Sequence, residues 1–287
     1  MTEIPLHAEP FSTEPLAAEG AGLLAAGRPL EAVDVLRQAV AAGERSAPDL
    51  LVRAYLDSGS WHAAVEWLGP LVEQGHVRFA GRLGVALTET GDRERAEEAL
   101  RLAVSSGELA AANDLGILLR DEGRLAEGIQ VLARAAEEGD PLAPANLVWL
   151  HLEDGDFPAA AVAAERHVDP ARPDTVLALA EVRAAQGRPD DADQLFREAG
   201  ELGALRAHTA YGQFLLNERG DVLGAQGEFF EARRHAEPGW AYTMGRFLID
   251  VGRPDDAREF LQVAADTGDR VAAETLVELD GIDPADD

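Results

Sequence analysis

The side chains that could do chemistry in this chain stand in spacings that do not assemble a reacting centre. Its seven histidines include no His-Glu-x-x-His pair, and the gaps between His62, His76, His151, His167, His208 and His235 give no metal-ligand spacing on one helix. Asp190, Asp191 and Asp193 resemble a metal cluster, but they lack the glycine and distal glutamate of a calcium loop. They fall where a helix begins, and carboxylates there complement the positive end of its dipole. Gly20, Gly22 and Ala25 satisfy a loose Gly-x-Gly-x-x-Ala, yet no strand precedes them and they lie inside a predicted helix, which argues against a dinucleotide site. With no cysteine there is neither thiolate chemistry nor a disulfide. Paired carboxylates are common by chance in so acidic a chain. Without a nucleophile, an oriented base and a pocket, no catalytic, cofactor-binding or metal-binding residue is assigned, and the expectation is a protein that is not an enzyme and carries no cofactor.

The elements that would position any site are set by a repeat. Gly27, Gly59, Gly91, Gly123, Gly155, Gly187, Gly220 and Gly252 are spaced by 32 residues, once by 33. Five residues after each anchor stands a small residue: Ala32, Ala64, Ala96, Gly128, Ala160, Ala192, Ala225 or Ala257. Twelve after it a second recurs, with Leu71 and His167 as exceptions. Sixteen after it comes Gly43, Gly75, Gly107, Gly139, Gly203 or Gly268, where a helix can end in the left-handed conformation. A period in this range means one supersecondary unit copied and stacked, each copy burying its apolar face against its neighbours.

Apolar residues recur with helical periodicity, mostly as Ala and Leu with few aromatics, which suits close helix packing. In the third unit the spacing predicts a first helix over Val77 to Glu89, a turn over Thr90 to Asp92 and a second helix over Arg93 to Ser106. The turns read Gly-Arg-Pro at Gly27, Gly187 and Gly252, and Gly-Asp at Gly91, Gly155 and Gly220. Pro is tolerated in a helix's first turn and Asp caps its free N–H groups, so each turn starts a second helix. Eight antiparallel pairs follow, with a capping helix from Arg270 to Leu279. Residues 1–12 are expected to be a loose leader, 13–280 the repeat domain, and 281–287 an acidic disordered tail. Two units depart from the pattern. In the fifth, His167, Pro170 and Pro173 replace the small residue and the link glycine. In the seventh, Gly220 arrives one residue late and Pro238-Gly239 fills the link.

With 53 acidic against 25 basic residues the formal charge is −28, and no basic stripe interrupts it; the adjacent pair Arg233 and Arg234 is surrounded by Glu228, Glu231 and Glu237. Nucleic acid is therefore not an expected partner. All 25 basic residues are Arg. Codon bias of a GC-rich genome accounts for the absent Lys, and adaptation to salt or selection against lysine modification remain open alternatives. No stretch approaches the length of a membrane span and the start has no signal-peptide pattern, so the expectation is a cytoplasmic chain without membrane contact.

Leu83-Gly84, followed by Ala96, Leu100 and Ala103, resembles the tetratricopeptide-repeat pattern, as do the units that begin at Leu115-Gly116 and Met244-Gly245. The ending in Ala135, Gly139 and Ala143 also resembles the related Sel1-like repeats. The likeness covers about residues 13–280. It departs from the tetratricopeptide form in having 32 residues instead of 34 per unit, in lacking the early Trp, and in closing on Gly in place of Pro. The resemblance implies an all-α fold, a right-handed α-solenoid superhelix of about eight helix-turn-helix repeats, whose concave face, lined by first helices, binds peptides or protein segments. Carried onto this chain, the groove positions include Arg53, Asn113, Arg120, Trp149, Gln213, Asn217, Tyr242 and Arg246, with Asp57, Glu89, Asp121, Glu153, Glu181, Thr209 and Asp250 beside them. The expectation is a non-enzymatic scaffold or adaptor for proteins or peptides with basic segments. The alternative is a peptide- or small-ligand-responsive regulatory sensor acting through a partner chain.

Overall fold

The computed structural model describes residues 14–281, so the expected leader and, apart from Gly281, the expected tail lie outside the described residues. Among those described, regular structure consists of seventeen α-helices and one 3-10 turn, with no strand. The protein is an all-α helical repeat solenoid, and its chain divides within one helix into two compact units, Met1–Val131 and Leu132–Asp287.

The first unit holds α1 (Pro15–Ala25), α2 (Pro29–Ala41), α3 (Ala47–Asp57), α4 (Trp61–Glu73), α5 (Ala80–Thr90), α6 (Arg93–Ser105) and α7 (Ala111–Asp121), and the division falls inside α8 (Leu125–Glu138). The second unit holds α9 (Ala143–Glu153), α10 (Phe157–His167), α11 (Pro173–Ala185), α12 (Pro189–Leu202), α13 (Ala207–Arg219), α14 (Val222–Arg234), α15 (Trp240–Asp250), α16 (Pro254–Asp266) and the closing α17 (Arg270–Gly281). Odd-numbered helices from α1 to α15 are the first of each pair and even-numbered ones the second.

The turn chemistry works as the residue types require. Pro29, Pro189 and Pro254 open second helices. The carboxylates of Asp92, Asp156 and Asp221 each accept the backbone N–H three residues on, filling an orphan donor of the first turn. Every anchor glycine and every glycine predicted at a second-helix end has positive φ; Gly91, for example, at 83° ends α5, and the N–H of Asp92 then returns to the Leu87 carbonyl at 3.0 Å. In the seventh repeat the link glycine is absent, and Ala236 takes the left-handed conformation in its place at φ 51°.

In four of the pairs a glycine of the first helix makes room for a large side chain of the second, while Val52, Val148 and Ala180 hold the equivalent position in three others. A Cβ on Gly20 would stand 2.4 Å from Leu36, on Gly84 2.5 Å from Leu100, on Gly212 2.5 Å from Phe229 and on Gly245 2.7 Å from Leu261. The small residues five after each anchor are all buried, so the helices of a pair approach closely. The core of the first unit is aliphatic, built on Leu36, Leu51, Leu68, Leu87, Leu100 and Leu115. That of the second is richer in rings, with Phe196 against Phe214 and Tyr211 at centroid separations of 5.0 and 5.6 Å, and Phe229 against Phe247 at 5.1 Å.

The helix ends expected at Glu89, Ser106 and Leu279 fall at Thr90, Ser105 and Gly281, and one helix start differs by a full turn. The first helix of the third unit starts at Ala80, not Val77, because Val77–Phe79 forms a 3-10 turn closed by the Phe79 N–H on the His76 carbonyl at 3.1 Å, which buries the Phe79 ring. A further periodic signal escaped the reading: an acid one residue past the link position, at Glu44, Glu108, Asp140, Glu237 and Asp269. The longer glutamates reach back to the preceding repeat. Glu44 accepts the Leu16 and Ala17 N–H groups at the start of α1, and Glu237 those of His208 and Thr209 at the start of α13. The shorter aspartates stay local, Asp140 capping α9 and Asp269 capping α17.

Candidate functional site

First helices present a repeated outward position, six residues before the anchor glycine and seven before Gly220. In the first unit it is held by Ala21, Arg53, Val85 and Ile117, in the second by Trp149, Glu181, Gln213 and Arg246, and none of these residues is buried. In the second unit this row adjoins the largest departure from the repeat. The link after α10 has no glycine. Its Val168 is extended at φ −56° and ψ 127°, and Asp169 instead caps the turn by accepting from Ala171 at 3.0 Å and pairing with Arg172 at 3.1 Å.

Beside that link a cavity of about 390 Å³ opens among the starts of α9, α11 and α13. Leu142, Ala145, Asn146 and Trp149 line it from α9 and the residue before it, Arg172, Pro173, Asp174 and Thr175 from the start of α11, and Leu205 with Arg206 from the link before α13. Leu142 and Leu205 are 54% and 62% exposed, so two aliphatic side chains stand in solvent at the lip of an apolar hollow. Its charged groups differ in what they already contact. Arg172 is matched by Asp169, and Asp174 accepts the Leu205 N–H at 2.8 Å. Arg206 is exposed and forms no ion pair among the described residues.

Trp149 packs against the core of the second unit, and its indole N–H donates a short hydrogen bond to the carboxylate of Glu181, the residue at the same position one repeat later. Desolvation pushes the Glu181 carboxyl up to about 7, opposed by the indole donor and the charge of Arg206. The hydrogen bond thereby holds the ring edge of Trp149 in one orientation along the row.

The residues predicted from sequence divide into groups. Arg53, Gln213, Asn217 and Arg246 are exposed on first helices, Arg53 pairing with Asp57 at 3.2 Å and Arg246 with Asp250 at 3.5 Å. Arg120 is half-buried and pairs with Asp121 at 2.8 Å. Trp149 and Tyr242 are half-buried against the second core, and only Trp149 of the eight lines the cavity. Asn113 is closed off at 6% exposure, its amide donating to the Ala110 carbonyl at 3.3 Å, and Thr209 is fully buried, its hydroxyl donating to Glu237. Both lie four residues before the outward position, and at Thr209 it is Glu237 of the following link that covers the helix. Leu142, Leu205 and Arg206 were not anticipated. Their signal was apolar residues in links, which a repeat reading assigns to packing.

Elsewhere His208 and His235 stack at 5.0 Å, and His208 Nδ1 lies 2.8 Å from Glu228. Among the described residues no three His, Asp or Glu side chains converge as a metal set, and no helix is long and apolar enough to cross a membrane.

Two family models described as tetratricopeptide repeat match the chain, one at residues 50–113 and 89–144, the other at 141–166 and 173–198. No curated protein matches it. Among solved structures it is similar to a thermophilic tetratricopeptide-repeat protein of Thermus thermophilus (18% identity, 60% of this chain and 98% of that one, TM-score 0.51). A tetratricopeptide repeat protein from Parabacteroides merdae gives 14% identity over 93% of this chain and 97% of that one, with TM-score 0.55. The APC/C hetero-tetramer Cut9–Hcn1 contains a chain 13% identical at TM-score 0.53, covered over 56% of its length by 93% of this one. At these identities the likeness is one of fold. Together with the repeat itself, the matches place the chain in the tetratricopeptide-repeat family.

Proposed function

We propose that the chain is a non-enzymatic scaffold that binds segments of partner proteins on the exposed side of its first helices. Tetratricopeptide repeats are in general protein-interaction modules. The observation that supports a face on this chain is the cavity beside Trp149, where Leu142 and Leu205 are left in solvent at its lip. Apolar hollows with an aromatic wall are where binding energy concentrates in interfaces. Trp149 of this face stands on a helix, and Leu142 and Leu205 stand in the links directly before α9 and α13. An excess of carboxylates over guanidinium groups further favours partners that carry basic segments, through long-range attraction. The reading includes a cytoplasmic location, with nucleic acid and membrane excluded as partners.

The test is quantitative affinity purification from the native host, comparing the wild-type chain with a Leu142→Asp, Leu205→Asp form. Both residues are exposed, so the variant folds, which circular dichroism checks. A protein recovered by the wild type and lost selectively from the variant supports the face. Equal recovery moves the interface elsewhere.

A further inference from the structure

We propose that a hollow between the second helices α4 and α6 receives a long basic side chain of a partner protein, its methylenes on an apolar floor and its cation between Glu73 and Glu98. This rests on the reading of the chain as a binder of basic segments, and it gives such a segment a face of its own. Leu83 and Leu87 of α5 floor the hollow, and Val72 of α4 with Ala99 and Leu102 of α6 wall it. Its volume of about 180 Å³ falls well below the roughly 300 Å³ at which pockets begin to hold whole small ligands, and suits one side chain. Leu83 and Leu87 stand two residues either side of Val85, so at about 100° per residue they face away from the outward row of first helices. The hollow thus belongs to a different side of the first unit.

Charge selects the occupant. The charged residues on the lining are Glu73 of α4 with Arg95 and Glu98 of α6. Arg95 is matched by Asp92 at 3.2 Å, whereas Glu73 and Glu98 are exposed and form neither ion pair nor hydrogen bond among the described residues. With Asp92 included, three carboxylates and one guanidinium leave a local charge of −2. Other guanidinium groups of these segments are engaged elsewhere, Arg78 and Arg82 on Asp49 and Arg101 on Glu97 and Glu127. Arg93 stands nine residues, about two and a half turns, before Leu102 and so on the opposite side of α6. At physiological salt, exposed charges act over about 8 Å, so the group that enters answers to these carboxylates. Exposed ion pairs alone contribute little, and an aliphatic stem laid on Leu83, Leu87 and Leu102 supplies the remainder. Lysine and arginine carry both parts, a methylene stem and a cationic head.

The second unit repeats the shape and not the charge. Counted from the anchors Gly91 and Gly252, Leu83, Leu87 and Glu98 coincide with Met244, Leu248 and Glu259, which line a hollow of about 310 Å³. There Arg253 pairs with Asp256 at 2.6 Å, Arg258 reaches Asp255 at 3.9 Å, and Arg233 stands over the Phe260 ring of the lining. Three cations offset three carboxylates, so the assignment is to the first unit and the second supplies its control.

The experiment follows the Leu102 methyl signals by NMR on full-length protein with 13C-labelled leucine methyls, assigned with Leu102→Met. The probes are three acetylated, amidated glycine pentapeptides with lysine, norleucine or diaminobutyrate at the centre. Norleucine keeps the stem without the charge, and diaminobutyrate keeps the charge on a stem two methylenes shorter. The Leu102 signals shift saturably with the lysine probe, while the other two bind at least threefold more weakly. Glu73→Gln combined with Glu98→Gln weakens the lysine probe at least threefold, and Glu259→Gln leaves it unchanged; all three side chains are exposed, and circular dichroism checks that the variants fold. The assignment is overturned if either control probe binds as tightly as lysine, if the paired substitution has no effect, if Glu259→Gln weakens binding equally, or if no Leu102 signal moves up to about 5 mM probe, where millimolar affinities register. Signals that move with protein concentration alone give the hollow to an arginine of a second copy and overturn the partner. Selective loss of a captured protein from the Leu142→Asp, Leu205→Asp form, with no response to the lysine probe, keeps the first-helix face and rejects this hollow. A saturable lysine response, with capture unaffected by that form, keeps the hollow and rejects the first-helix face.

Discussion

Trp149 donates its indole N–H to Glu181, thirty-two residues further on and at the same position of the next repeat. The contact converts sequence periodicity into a spatial row: equivalent residues of successive first helices stand close enough to hydrogen-bond. It also places a carboxyl in a poorly solvated setting, and this gives the first prediction.

The Glu181 carboxyl titrates near 7 in the folded chain against 4.5 as its ordinary value. A raised carboxylate pKa means that the folded state holds the proton more tightly than the unfolded one. Stability contributed by Glu181 is therefore complete below about pH 4.5 and falls as pH rises to about 7. Glu181→Gln keeps an acceptor for the indole but cannot ionise. Urea midpoints measured from pH 5 to 8 are expected to decline more steeply for the wild type than for the variant; parallel profiles would reject the assignment.

Ala236 adopts φ 51° where six other repeats place glycine. The left-handed conformation costs an L residue about 1 kcal/mol, so Ala236→Gly is expected to stabilise the second unit by up to about 1 kcal/mol. Gly139→Ala, at φ 95°, shifts stability by about as much in the opposite direction. Thermal or urea unfolding reads both.

Glu237 is 5% exposed and accepts three hydrogen bonds, from the His208 and Thr209 N–H groups and the Thr209 hydroxyl. Glu237→Ala leaves buried donors unmatched and is expected to cost about 2–3 kcal/mol. Hydrogen exchange localises the loss to the start of α13, and a loss spread evenly over the second unit would contradict the capping role.

Gly84→Ala brings a Cβ against Leu100 and within 3.3 Å of the Ala96 carbonyl. Overpacking of this kind costs about 1–3 kcal/mol. Adding Leu100→Ala to that variant relieves the clash with the side chain, so the two substitutions are expected to couple favourably in a double-mutant cycle. Strict additivity would show that the close approach does not limit the pair.

Association with a basic partner is expected to slow as ionic strength rises, because attraction toward a chain of charge −28 is screened. Stopped-flow rates between about 50 and 500 mM salt would show it. Rates indifferent to salt would remove the electrostatic part of the proposed function.

The repeat, the helix pairs and the turns were legible in sequence because they depend on local rules: glycine at left-handed positions, Pro and Asp at helix starts, small residues where helices cross. These act within a few residues, and a 32-residue period repeats them until they are unmistakable. Whether a given first-helix residue faces solvent was less legible. Thr209 and Gln213 read alike as polar groove positions, but one is closed off beneath the next link, where Glu237 meets it, and the other is exposed, a difference set by a neighbour about thirty residues away in the chain. The cavity was invisible for the same reason. Leu142 and Trp149 belong to one repeat, Pro173 to the next and Leu205 to the one after, and only stacking brings two aliphatic side chains, an indole and a guanidinium around one hollow. Sequence by itself determined the unit and its copying. Tertiary packing decided which side chains were used up in joining the copies and which remained outside to meet a partner.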